Sequence, residues 1–297
     1  MNRLVRPALI ALALAALPMA AQAHRTWLMP SSGQVDGKNL YISVDGGSSD
    51  NLFQADSFPL KLDGLTITGP DGKTVAPENP YTGKFKSAFD LKLDTDGTYR
   101  IAVVSDTVMG RYTLNGETKR IRGSAAELPT LVPTGATYVA VSHMISRVET
   151  FTSANKPSDA VLAPTGHGLE IVPLSNPSGY VAGEKAAFRA LLDGKPIGGL
   201  AVEIIPGGTR YRGALKDTDV TTAADGTFSV TWPMGQMYWI GASYPARPAE
   251  GGDDHGGNKG GGDHGGDGKG PGGGDHGGGD MPAQRWSYAG TFEVMPF

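Results

Sequence analysis

The sequence predicts an all-β protein of two β-sandwich domains in tandem. Three observations carry this: short runs in which apolar and polar residues alternate, turn residues about every ten positions, and little helical periodicity. Sandwiches of the immunoglobulin-like or transthyretin-like kind have this grammar of short strands and frequent turns.

In chain order, Leu40, Ile42 and Val44 alternate with Tyr41, Ser43 and Asp45, a strand over 39–45 that a Gly46-Gly47 break should end. Leu65-Thr66-Ile67-Thr68 runs into Gly69-Pro70-Asp71-Gly72, which has the residues of a reversing turn. Residues 97–104 read as a further strand. Residues 137–145 read as the last long strand of a first domain spanning 24–151, with His143 on the same face as Val139, Val141 and Ile145. Residues 152–166 lose the alternation and carry Pro157 and Pro164, so they are expected to link the domains.

The second domain, 167–297, opens with a strand in 166–173 and continues through 186–192, an Asp193-Gly194 turn, 202–205 and 225–232. Asp225-Gly226-Thr227-Phe228 repeats the grammar of Asp96-Gly97-Thr98-Tyr99, which favours two sandwiches over one barrel. Strands at 237–242 and 286–294 form the expected final hairpin. Its loop carries a Gly-, Asp-, His- and Lys-rich insert over 246–282, expected to be disordered. Closure entropy grows slowly with loop length, so such an insert is tolerable.

Ahead of the first strand, residues 1–23 read as a secretory signal: Arg3 and Arg6, an apolar run from Ala8 to Ala16, and the small-residue cleavage text Ala21-Gln22-Ala23. The apolar run is shorter than the about 20 residues that cross a bilayer. A soluble, periplasmic mature chain is therefore expected, beginning at His24 and not spanning a membrane.

Composition narrows the chemistry. The chain has no cysteine, so neither disulfides nor thiolate ligands are available. Loss of Arg3 and Arg6 takes the formal charge from −4 to −6, and no basic block remains to follow a nucleic-acid backbone. No nucleophile elbow, P-loop or HExxH motif occurs. The pairs Asp71/Glu78 and Asp217/Asp219 fall in turn-like text and read as solvated. No catalytic residue is assigned.

The six histidines carry the functional signal. Cleavage after Ala23 would make His24 the first residue, so that its α-amine and imidazole close one chelate ring on a metal ion. His143, on a strand face, reads either as a hydrogen-bonded core residue or as a partner of His24. His167, between two glycines at the domain junction, reads either as a turn residue or as a ligand. Met29 and Met144 read as core packing rather than thioether ligands. His255, His264 and His276 each follow an aspartate and precede two glycines, a flexible tract that can wrap a borderline ion such as Ni, Co, Cu or Zn.

At residues 24–30 (His-Arg-Thr-Trp-Leu-Met-Pro), 166–173 (Gly-His-Gly-Leu-Glu-Ile-Val-Pro) and 206–212 (Pro-Gly-Gly-Thr-Arg-Tyr-Arg), the chain resembles the exported bacterial family known as domain of unknown function 4198. Its members are often described as periplasmic components of nickel or cobalt uptake. The resemblance covers most of 24–245 and the closing strand, and leaves out the insert. Arg25 stands where the family commonly has an acid. What the resemblance implies is a periplasmic metal-handling role beside a metal transporter of the inner or outer membrane.

The resulting expectation is a metal-binding accessory protein for uptake or homeostasis. Two other readings stay open: a copper redox enzyme of the histidine-brace type, and a metal-independent ligand-binding or adhesion module.

Overall fold

A computed structural model of the chain describes residues 24–212, 218–245 and 283–297. The expected signal segment, the insert, and the histidines at 255, 264 and 276 lie outside the described residues.

The strands are, in order, β1 (Arg25–Pro30), β2 (Gln34–Val35), β3 (Leu40–Ser49), β4 (Phe58–Pro59), β5 (Leu65–Thr68) and β6 (Glu78–Thr82). Next come β7 (Ser87–Leu93), β8 (Gly97–Leu114), β9 (Glu117–Ser124), β10 (Thr137–Ala154), β11 (Leu169–Pro173) and β12 (Lys185–Leu192). The last are β13 (Lys195–Pro196), β14 (Ala201–Pro206), β15 (Thr218–Thr221), β16 (Thr227–Thr231), β17 (Gln236–Tyr244) and β18 (Gln284–Val294). The remaining helices are single turns, and no helix among the described residues is long and apolar enough to cross a membrane.

These strands form three sheets. A five-stranded sheet runs β1-β3-β7-β6, with β4 on β3; a nine-stranded sheet runs β15-β14-β17-β18-β10-β8-β5, with β2 and β9 at its sides; and a four-stranded sheet runs β11-β12-β13, with β16 on β12. The nine-stranded sheet is the middle layer. One core, with Trp27, Val44, Phe89 and Leu91, lies between it and the first sheet; the other, with Ile171, Phe188, Val230 and Trp232, lies between it and the third. Successive side chains on a strand point to opposite faces. So Ile204, Ile240 and Tyr288 enter the second core, while their neighbours Ile205, Trp239 and Ala289 enter the first.

The all-β sandwich expectation and the final hairpin hold: β17 pairs with β18 from Gln236↔Val294 to Tyr244↔Trp286. The link expected at 152–166 does not separate two domains. Strand β10 continues to Ala154, and Val161 and Leu162 are buried in the second core. The two cores share one sheet. The strand is hidden in the sequence because Thr152 and Ser153 are polar yet buried: Thr152 donates to the Ser32 carbonyl, and the Ser153 hydroxyl bonds those of Thr98 and Ser178. A buried polar residue with its hydrogen bonds satisfied breaks the apolar pattern without breaking the strand.

Gly46 and Gly47 do not end a strand either. They lie inside β3, where neighbouring side chains leave no room for another: a Cβ at Gly47 would stand 2.8 Å from the Trp27 ring on the paired strand, and one at Gly46 would stand 3.1 Å from Leu60. The outer halves of β8 and β10 extend past the core as a ribbon with β9, where Met109, Tyr138, Val139 and Met144 are exposed. On the face expected to be apolar around His143, Ile145 is buried but Val139 is exposed and Val141 only half-buried, and Met144 is not a core residue.

The second core has a pH consequence. Burial pushes the phenols of Tyr180 and Tyr288 well above the ordinary value, in Tyr288 with further help from the Glu149 charge. A raised folded-state pKa contributes stability that is complete below the unfolded value of about 10 and is lost as pH rises beyond it. The melting temperature is therefore expected to fall between pH 9 and pH 11, with a smaller fall in Tyr180→Phe. An identical fall in both proteins would refute a role for that phenol.

Candidate metal site at the start of the first strand

Strand β1 pairs with β3 in the register Arg25↔Ser49, Thr26↔Ser48 and Trp27↔Gly47, which sets His24 beside Asp50. The imidazole Nδ1 lies 2.8 Å from Asp50 Oδ1, and both side chains are about half exposed, at 45% and 49%. Phe58 of β4, opposite Ser48, puts its ring 5.5 Å from the imidazole at 80° between planes. One sheet face thus carries His24, Asp50 and Phe58.

Trp27 holds this register. Its side chain is buried, and its indole N–H donates to Ser49 Oγ at 2.9 Å; the Ser49 hydroxyl donates in turn to the Asn51 carbonyl at 2.9 Å. On the other side of Asn51, its backbone and side-chain N–H groups donate to the Asp56 carboxylate at 3.3 and 3.0 Å. Desolvation pushes Asp56 upward, but the hydrogen bonds from Asn51 and Ser57 outweigh it and hold the carboxyl below the ordinary carboxylate value. The backbone on both sides of Asp50 is therefore fixed by bonds that its own side chain does not make.

The free edge of β1 is anchored from the middle sheet. Trp239 donates its indole N–H to the Thr26 carbonyl at 2.9 Å. The Arg25 guanidinium lies 5.8 Å from the Trp239 ring centroid and 3.6 Å from Glu203. Phe53, edge-on to Trp27 at 5.9 Å, also packs on the backbone of Gly207, where a Cβ would stand 3.2 Å from its ring. The stretches 24–30 and 206–212, far apart in sequence, therefore meet around Phe53.

His143 is elsewhere. It lies on β10 opposite Val108, with Nδ1 3.6 Å from Asp106 and its side chain 38% exposed. His167 is exposed in the turn before β11, between Gly166 at φ +75° and Gly168 at φ +72°. Its backbone carbonyl accepts from Arg147 at 3.3 Å. Glu170 accepts from the N–H of Thr165 and of Gly166 and from the Thr165 hydroxyl, each at 2.8 Å. Arg147 donates to that hydroxyl at 2.7 Å, and its guanidinium also lies 3.5 Å from Glu149 and 3.9 Å from Glu170. The Gly-His-Gly-Leu-Glu text thus builds a buried ionic anchor for the turn.

Among the described residues no group of three or more His, Asp or Glu side chains is placed to hold a metal ion. His24, His143 and His167 therefore do not assemble into one such group. What the fold does bring together is His24 with Asp50, and sequence reasoning missed Asp50. The available signal was strand register: pairing 25–30 against 44–49 puts Asp50 next to the position before Arg25. Met29 packs against the first core, as expected.

The family model described as domain of unknown function DUF4198 matches residues 21–246. No curated protein matches the chain. Among solved structures, a DUF4785 family protein from Legionella pneumophila is 8% identical with a TM-score of 0.21; the alignment covers 72% of this chain and 50% of that one. The chain thus spans half the length of that protein. The D0-D1 domain of Intimin is 9% identical, TM-score 0.20, covering 72% and 88%. A tetra-tandem repeat from the extending region of a large adhesion protein is 10% identical, TM-score 0.18, covering 74% and 70%. Scores this low carry no argument about function.

Proposed function

This chain belongs to the DUF4198 family, and we propose that it is an exported, periplasmic protein that binds divalent transition ions of the nickel, cobalt, copper and zinc class for uptake or homeostasis. One observation carries the proposal. His24, which follows the small-residue text Ala21-Gln22-Ala23, stands half exposed at the head of a strand anchored on both edges, with a carboxylate beside its imidazole.

Cleavage after Ala23 gives His24 a free α-amine, and a metal held by the amine and Nδ1 closes a six-membered ring. Two nitrogen donors suit borderline ions, with copper(II) intrinsically the tightest of the four. The Asp-His repeats at 254–255, 263–264 and 275–276 supply further donors with little geometric selectivity, fitting a tract that gathers ions rather than one that acts on them. A membrane metal transporter is the partner class such a protein would serve. An enzymatic brace would require a second imidazole next to His24, and the contacts described for His143 and His167 are with other elements. The proposal is therefore of binding and delivery.

Calorimetric titration of the cleaved protein with Cu(II), Ni(II) and Zn(II) tests it. One tight site is expected that weakens at least tenfold when one extra residue precedes His24, because the amine is then an amide. Equal affinity with and without the extra residue would remove His24 from the function.

A further inference from the structure

We infer that Asp50 is a metal ligand, making the N-terminal centre a three-donor site of amine nitrogen, imidazole nitrogen and carboxylate oxygen. This rests on the proposed function. The two donors already in place are 2.8 Å apart. Two ligands at right angles on one ion, each about 2.0 Å from it, are also about 2.8 Å apart. A metal can thus take both atoms as ligands at the separation they already have.

The imidazole nitrogen turned toward Asp50 is Nδ1, the one that closes a six-membered ring with the α-amine. Had Nε2 faced the carboxylate, amine and carboxylate would lie at opposite ends of the ring, and one ion could not meet both. The carboxylate is also held ready. Ser49 before it is tied to Trp27, and Asn51 after it is tied to Asp56, so its backbone does not have to be ordered on binding. Phe58 covers one side of the imidazole with apolar surface.

The donor set has a consequence for the ion. Amine, imidazole and carboxylate favour divalent copper, nickel and zinc, whereas Cu(I) prefers soft sulfur ligands. Met29 is packed against the core. The site therefore takes Cu(II) in preference to Cu(I).

The experiment uses cleaved protein beginning at His24, with His255, His264 and His276 replaced by asparagine so that only the folded site is read. Cu(II) and Ni(II) affinities are measured by competition with a chromophoric chelator for this protein, for Asp50→Asn and Asp50→Glu, and for a form with one added residue before His24. Copper electron paramagnetic resonance is recorded for each, and melting temperatures check folding.

The expected result is at least a tenfold loss of affinity in Asp50→Asn, partial recovery in Asp50→Glu, and a changed copper spectrum at unchanged melting temperature. Two results overturn the inference. If the added residue abolishes binding while Asp50→Asn matches the parent in affinity and spectrum, His24 binds metal and Asp50 is only its close acidic neighbour; the proposed function then survives. If the parent itself has no tight site, that function fails and the ligand role fails with it.

Discussion

Trp27→Ala is expected to lower the free energy of unfolding by about 3–5 kcal/mol, the cost of emptying a large aromatic site in a packed core. The side chain is 1% exposed, sits edge-on to Phe53 and occupies the space that Gly47 leaves open. The β3 backbone at Gly47 is paired on both sides, by β1 and β4, so it cannot collapse into the cavity. Urea unfolding followed by circular dichroism measures the loss, and one below about 1 kcal/mol would mean that the first core is not organised around this ring. Trp27→Phe separates packing from hydrogen bonding. It keeps most of the apolar contact but leaves Ser49 without its indole donor, an effect of about 1 kcal/mol by the usual worth of such a bond.

Arg147→Met is expected to be of similar size, about 3–5 kcal/mol at neutral pH, because it strands two buried carboxylates. Glu149 and Glu170 are each 3% exposed, and Arg147 is the cation within 3.5 Å of the first and 3.9 Å of the second. Burial already raises the Glu149 pKa, against the lowering effects of Arg147, Arg100 and the Tyr288 hydrogen bond. Removing Arg147 takes away the first of those and raises it further. A carboxyl whose folded-state pKa is raised favours folding below its unfolded value and costs stability as pH climbs above it. The penalty of Arg147→Met should therefore be larger at pH 8 than at pH 5. Unfolding measured at both values decides this, and a penalty independent of pH would show that the carboxylates find other compensation.

The same buried cluster bears on the two readings left open for His167, a turn residue or a ligand. Glycines beside a histidine look like the frame of a ligand, yet here the positive φ of Gly166 and Gly168 lets the turn fold over Glu170 while the His167 ring faces solvent. Only the carbonyl of His167 is used, by an arginine 20 residues earlier. Nothing in 166–173 announces that partner. The strand over 152–154 was illegible for a related reason, since the buried Ser153 hydroxyl meets those of Thr98 on the paired strand and of Ser178, both distant in sequence.

Within the candidate site the division is similar. His24 could be named as a candidate because the expectation is local: a small-residue motif, a following histidine and the prospect of a free amine are read from adjacent positions. Asp50 was not, because its nearness to His24 depends on a register that Trp27, Gly47 and Ser49 fix together. The meeting of 24–30 with 206–212 depends on the middle sheet, which supplies Trp239 and Glu203.

By itself, then, the sequence determined the all-β class, most strand positions and the closing hairpin. All of these follow from side-chain alternation, turn chemistry and bond connectivity over a few residues. Only the tertiary structure decided that two cores share one sheet, that the Gly-His-Gly turn is an ionic anchor, and that a carboxylate stands 2.8 Å from the histidine. Those outcomes come from pairing energies between segments far apart in the chain, and such energies are realised only when strands are laid side by side in one register.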